Sequence, residues 1–331
     1  MAELGNMQYI TISSLEKRIG SQRAVDFARE SEYDFVRRVT EIAYRAAWDP
    51  KIKAIFISGP TSSGKTTFTD RLSGALHLYG RTTVVLNMDD YYHPEYEEHD
   101  EFGRPDYESM EALDAADMVR DIERLLNGER VELPTYDFVT RSRVYDEQKY
   151  LNIPPRGLLL VEGLHGLNKS VIGQLDRDAC LGVFIMPWGA LIDDTRILNP
   201  SQLRMLRRIS RDVRHRGATA FSTLDYWPMI AKNESEFVPV YLREADEYIN
   251  SVLPYEFCVT APLARRFIAS DLALLEQGKL PKSTYTRPDV FYADLDATVK
   301  QAQYFLKVAE LIPEMPIDVV PEMSILNEFL H

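Results

Sequence analysis

The chain has 331 residues, 45% of them hydrophobic and 27% charged, and a formal charge of −13 at neutral pH. This composition supplies ample material for a buried core and excludes disordered and fibrous classes. The acidic balance has the wrong sign for holding a nucleic-acid backbone over a wide surface, so no nucleic-acid partner is expected and any bound anion must meet a local basic patch.

From residue 21 to 48, apolar residues recur at helical spacing (Val25, Phe27, Ala28, Phe35, Val36, Val39, Ile42, Ala43) until Asp49-Pro50 closes the segment. Five short apolar runs then read as buried parallel strands: residues 52–58, 82–87, 158–162, 181–186 and 257–260. Helical patterns lie near residues 66–79, 110–127, 203–216, 238–252 and 262–277. The alternation predicts an α/β fold, a doubly wound parallel sheet of about five strands flanked by helices. Two stretches break it: residues 91–109 are polar and aromatic, and residues 131–152 read as a hairpin-like excursion, the kind of long loop that often carries function. The expected organisation is an N-terminal helical appendage (1–50), a central domain (51–280) and a C-terminal helical segment (281–331). In the last, Tyr285, Phe291, Tyr292, Tyr304 and Phe305 fit core packing or the interface of a homo-oligomer. Cys180 and Cys258 lack metal-ligand or redox spacing and read as small core residues. With no leader pattern and no run near the ~20 apolar residues of a membrane span, a soluble cytoplasmic chain without a membrane partner is expected.

Gly59-Pro60-Thr61-Ser62-Ser63-Gly64-Lys65-Thr66 satisfies the phosphate-loop pattern between a strand and a helix. Its glycines let backbone N–H groups turn onto phosphate oxygens, Lys65 reaches the β and γ phosphates, and Thr66 offers a hydroxyl to Mg²⁺. Thr67 follows in the first helical turn, its hydroxyl within reach of an α-phosphate. Met88-Asp89-Asp90-Tyr91-Tyr92 sits at the carboxyl end of the second strand, the ligand edge of open α/β sheets. One aspartate there can accept a proton from an attacking hydroxyl or bind a metal through water, and the other can cap the turn. Glu162 ends an apolar strand, where a carboxylate is costly to bury without a cation and so reads as a Mg²⁺ ligand. On the segment 203–217, Arg204, Arg207, Arg208 and Arg211 share one helical face opposite Leu203, Leu206, Ile209 and Val213, which reads as a phosphate lid or a solvated basic face. Within the excursion, Tyr136, Phe138, Arg141 and Arg143 suit a ring that is stacked and hydrogen-bonded at its edge, although an aromatic hairpin core would look similar. Asn168-Lys169-Ser170 lacks the aspartate of a guanine-specific site, and Leu72-Ser73-Gly74 lies too close behind the phosphate loop to serve as a transporter signature.

In order, the phosphate loop, Asp89-Asp90-Tyr91-Tyr92, Tyr136-Asp137-Phe138, Glu162-Gly163 and the arginine run to Gly217 resemble the uridine kinase and phosphoribulokinase family. Glu162 to Asn168 and the tail Ser324 to Phe329 look most like a uridine kinase-related branch of it. The resemblance implies ATP·Mg²⁺ as donor and a nucleoside 5′-hydroxyl, most simply that of uridine, as acceptor. It implies Asp89 as general base, Lys65, Arg207 and Arg211 as stabilisers of transferring charge, Arg204 and Arg208 on ATP, and Tyr92, Tyr136 and Phe138 in the nucleoside pocket. Arg141 stands where uridine-cytidine kinases carry a histidine, and its donor-only edge favours uridine over cytidine. Gly103 replaces their ribose-holding aspartate, leaving Asp106 as the substitute. Another small alcohol or sugar phosphate as acceptor, or a non-catalytic ATP-dependent regulator, remain the alternatives.

Overall fold

In the computed structural model, the residues described are 6–94, 96, 98–137, 140 and 142–330. The central sheet has five parallel strands: β1 (Ala54–Ser58), β2 (Thr83–Asn87), β3 (Leu158–Gly163), β4 (Cys180–Met186) and β5 (Glu247–Asn250), in the order β5-β4-β1-β3-β2. All side chains of β1, β3 and β4 are buried, which is why these runs are continuously apolar rather than alternating. Helices α1 (Ser21–Trp48), α2 (Lys65–Leu78), α3 (Ala115–Leu126), α4 (Pro200–His215), α5 (Ala220–Glu244), α6 (Phe257–Glu276) and α7 (Leu295–Leu311) surround it. Residues 131–137 and 142–151 pair antiparallel, so the expected hairpin is present.

The fourth and fifth elements of the sequence pattern are corrected at one place. Phe257–Thr260 opens α6 instead of forming a strand, and β5 lies at residues 247–250, inside the stretch expected to be helical. Four apolar residues have no period of their own, and the run continues helically through Ala261 and Leu263. Pro262 lacks the N–H that would bond the Cys258 carbonyl, and the Met315 amide takes that acceptor at 2.9 Å.

One buried apolar cluster joins Ile55 and Ile57 of β1, Phe27 and Phe35 of α1, Phe305 of α7, and Ile325 and Phe329 of the C-terminal segment. Phe305 and Tyr292 are buried, whereas Phe291 and Tyr304 remain exposed. Cys180 and Cys258 are free and buried, as expected for core residues. No described helix is long and apolar enough to cross a membrane.

Candidate active site

Local backbone chemistry shapes the phosphate loop. Gly64 takes φ +91° at the start of α2, and Ser62 takes φ +56°, a conformation uncommon outside glycine. Among the described residues no side chain caps the first turn of α2, so its amides are open to an anion. The Ser62 and Ser63 hydroxyls are buried without a hydrogen-bond partner among the described residues, an arrangement that suits polar ligand atoms. Gly59 cannot be larger, because a Cβ there would lie 2.1 Å from the Ile185 carbonyl oxygen. Pro60 and Thr61 complete the turn. Lys65 donates to the Pro60 carbonyl at 3.4 Å, and Thr66 is exposed at the helix start.

Two carboxylates face the loop from neighbouring strand ends. Burial raises the Asp89 pKa, with Lys65, Arg216 and Arg211 opposing that shift. Burial also pushes Glu162 up to about 7, opposed by Lys65 and reinforced by Asp89 and Glu328. Such a carboxyl gains most from a nearby cation, so Glu162 and the Thr66 hydroxyl fit a Mg²⁺ ion in chemical character. Asp90 points away and accepts the Tyr136 amide at 3.1 Å, anchoring the hairpin. Of the two aspartates, therefore, one faces the loop and the other holds the hairpin strand at Tyr136.

The Tyr92 and Tyr136 rings lie 5.5 Å apart, and the Tyr92 hydroxyl donates to the Tyr107 carbonyl. Asp106 accepts from Asn233 at 2.9 Å. Gly103 adopts φ +82° in a turn whose carbonyl receives the Arg287 amide, which accounts for glycine at that position. Phe138 and Arg141 lie outside the described residues. Arg143 requires a correction: its guanidinium is held by Asp114, Asp117 and the carbonyls of Tyr91 and Tyr92, so it ties the hairpin to the Asp89 loop instead of lining a pocket.

The arginine helix also requires correction, because its basic face is neither solvated nor a free lid. Arg204 forks onto Glu234 and donates to the Thr61 carbonyl. Arg207, fully buried, grips Glu256 at 2.6 and 2.8 Å and donates to the Ser62 carbonyl. Arg208 bonds Asp212 and the Thr61 hydroxyl, with Glu108 at 3.5 Å. These three brace the phosphate loop from behind, since α5, α6 and their acids close over the helix. Arg211, paired with Asp212, is the predicted arginine whose charge reaches Asp89.

Several residues escaped the sequence reading. Arg216 reaches Asp89 electrostatically, and Glu108, Glu234 and Glu256 neutralise the braces. Only Glu256 carries a local signal, an acid inside the apolar run Leu253-Pro254-Tyr255-Glu256-Phe257, whereas Glu108 and Glu234 sit among polar residues. From the far end of the chain, Glu328 accepts the Thr67 hydroxyl at 3.3 Å, Ile325 lies 3.3 Å from where a Gly64 Cβ would be, and the Arg207 guanidinium sits 5.3 Å over the Phe329 ring.

Comparison with known proteins agrees with this geometry. A uridine kinase of Macrococcus caseolyticus is 30% identical over 199 residues, covering 59% of this chain and 86% of that one. A uridine kinase of Staphylococcus aureus is 28% identical over 194 residues, covering 58% and 84%. A solved structure, of a possible uridine kinase from Bacillus stearothermophilus, superposes over 65% of this chain and 99% of that one at 16% identity and a TM-score of 0.43, too loose a likeness to carry an argument. The model of the Phosphoribulokinase / Uridine kinase family matches residues 54–255, from β1 to the turn after β5. With more than half its length matched, and with the phosphate loop built as described, the chain belongs to the phosphoribulokinase / uridine kinase family.

Proposed function

We propose that this protein is an ATP-dependent kinase that phosphorylates a small hydroxyl acceptor, with the 5′-hydroxyl of uridine as the first candidate. The observation that carries the reading is the convergence of Lys65, Asp89 and Glu162 at the open, uncapped start of α2. A switch protein needs no acceptor-side base, so the placement of Asp89 favours catalysis over regulation. The names of the relatives from Macrococcus caseolyticus and Staphylococcus aureus support uridine as acceptor.

In this mechanism the α2 amides and Lys65 bind and orient the triphosphate, and the arginine braces keep the loop in shape for it. Asp89 accepts the proton of the attacking hydroxyl, a task its raised pKa suits. Thr66 and Glu162 would hold Mg²⁺, which when bound neutralises charge on the β and γ oxygens. Tyr92 and Tyr136 provide aromatic faces for the acceptor.

ADP release from purified protein with ATP and Mg²⁺, compared across uridine, cytidine, purine nucleosides and ribulose 5-phosphate, tests the reading. Uridine-dependent turnover is expected, and Asp89→Asn should lower it by about 10²–10⁴-fold while ATP binding is retained. Full turnover in Asp89→Asn overturns the base assignment, and ATP binding without stimulation by any nucleoside overturns the acceptor.

A further inference from the structure

A cavity lies at the opposite edge of the sheet from the phosphate loop. It has a volume of about 550 Å³, within the range of small-molecule sites, and its walls include Lys53, Arg81 and Arg156 but no carboxylate. In a chain with 51 acids and 38 bases, three cations gathered around one hollow without an acid among its walls is a pronounced local reversal of charge.

Arg81 is the central group. Only 7% of it is exposed, yet its partners are backbone carbonyls: Nε donates to Arg156 at 2.6 Å, and Nη1 donates to Ala46 and Ala47 at the end of α1. Its Nη2 donors have no hydrogen-bond partner among the described residues. Burial and the neighbouring Arg156 both disfavour the Arg81 charge, so an anion would relieve two penalties together. Arg156 takes φ +64°, costly for an arginine, and the Arg81 bond to its carbonyl helps hold that turn. Trp48, 68% exposed, and Pro154 and Pro155 give the same hollow apolar surface.

We propose that this cavity is an anion-binding site, separate from the phosphate loop, for a phosphorylated small molecule that also carries a flat or apolar part. Arg81 Nη2, Arg156 and Lys53 hold the phosphate, and Trp48 with the two prolines covers the remainder. Each cation stands just before a strand that leads toward the candidate active site: Lys53 before β1 and the phosphate loop, Arg81 before β2 and Asp89, Arg156 before β3 and Glu162. At ~3.3 Å per residue, five-residue strands separate the two edges by about 16 Å, so one ligand cannot occupy both.

The inference does not rest on the kinase reading, and its test uses the full chain carrying Lys65→Ala to weaken the phosphate loop. Calorimetric titration with pyrophosphate should give saturable binding that survives Lys65→Ala and weakens with added salt. Arg156→Asn, in which asparagine tolerates the positive φ, and Lys53→Gln should each weaken it about tenfold. Lys169→Gln, an exposed lysine outside the cavity, should leave it unchanged. Adenosine 5′-monophosphate should bind at least about fivefold more tightly than orthophosphate. Absence of binding, its disappearance with Lys65→Ala, or indifference to both Arg156→Asn and Lys53→Gln overturns the site; equal affinity for the two probes overturns the apolar part of the assignment.

Discussion

Glu256→Gln isolates what the buried arginine braces contribute. Both partners of the Arg207–Glu256 pair are completely excluded from solvent, and the carboxylate accepts two guanidinium bonds and the Leu253 amide. Glutamine keeps the shape but turns an amide N–H toward a guanidinium and leaves its charge uncompensated, which for buried pairs costs about 3–5 kcal/mol. At about 2.1 cal/mol/K per residue, the chain unfolds with an entropy near 0.7 kcal/mol/K, so the melting temperature should fall by about 4–7 °C. The pair carries a second consequence, because Arg207 also donates to the Ser62 carbonyl of the phosphate loop. Replacing both members, Arg207→Met with Glu256→Leu, removes the stranded charge and should recover part of the loss, stopping about 1–3 kcal/mol short of the parent because the buried Leu253 amide loses its acceptor. It does not restore the bond to Ser62, so ATP affinity should stay weakened in the double variant. Urea unfolding with a parallel ATP titration reads the two effects separately. A loss below about 1 kcal/mol in Glu256→Gln would refute the argument that this pair is an electrostatically coupled brace.

Three further outcomes follow from the geometry. His165, buried between the Tyr241 hydroxyl and the Glu108 carbonyl, is pushed down to about 4, so it stays neutral in the folded chain while the unfolded chain takes up a proton near 6.5. Its contribution is present above pH 6.5 and is lost as pH falls toward 4, up to about 3 kcal/mol, and unfolding of His165→Gln across that window should lack this slope. Gly59→Ala sets a methyl against the Ile185 carbonyl, two backbones that must part, and should cost about 1–3 kcal/mol and abolish ATP-induced thermal stabilisation. Arg143→Met frees the hairpin from the Asp89 loop, should cost about 1–3 kcal/mol, and should raise the KM of the acceptor more than that of ATP in steady-state assays.

What could be read in the sequence depended on the range of the interaction that set it. The phosphate loop and α1 are local: one is a motif with fixed φ demands, and the other a long 3.6-residue periodicity that ends at Trp48 where expected. The burial of Glu162 is legible because it follows four apolar residues in a run that reads as a buried strand. The arginine helix was read correctly in its periodicity but not in its environment, since Glu234 and Glu256 come from other helices and decide whether a guanidinium faces water or an acid. The same limit misplaced β5: four residues carry too little pattern to separate a strand from a helix start until β4 supplies its hydrogen-bonding edge. Arg143 likewise looks like a ligand residue in a string of letters and becomes a tie only when Asp114 and Asp117 of another turn meet it.

The contact of the C-terminal segment with the phosphate loop fixes an order of events in time. Thr67 and Glu328 are separated by 261 positions, so at about 5–20 residues per second the ribosome makes the loop about 13–50 s before the side chains that cover it. Throughout that interval the nascent chain presents a phosphate loop without Ile325, Glu328 or Phe329, and nucleotide arriving then meets a looser cradle. Affinity for ATP should therefore mature only once residues 325–329 have been made, long after the strand that leads into the loop.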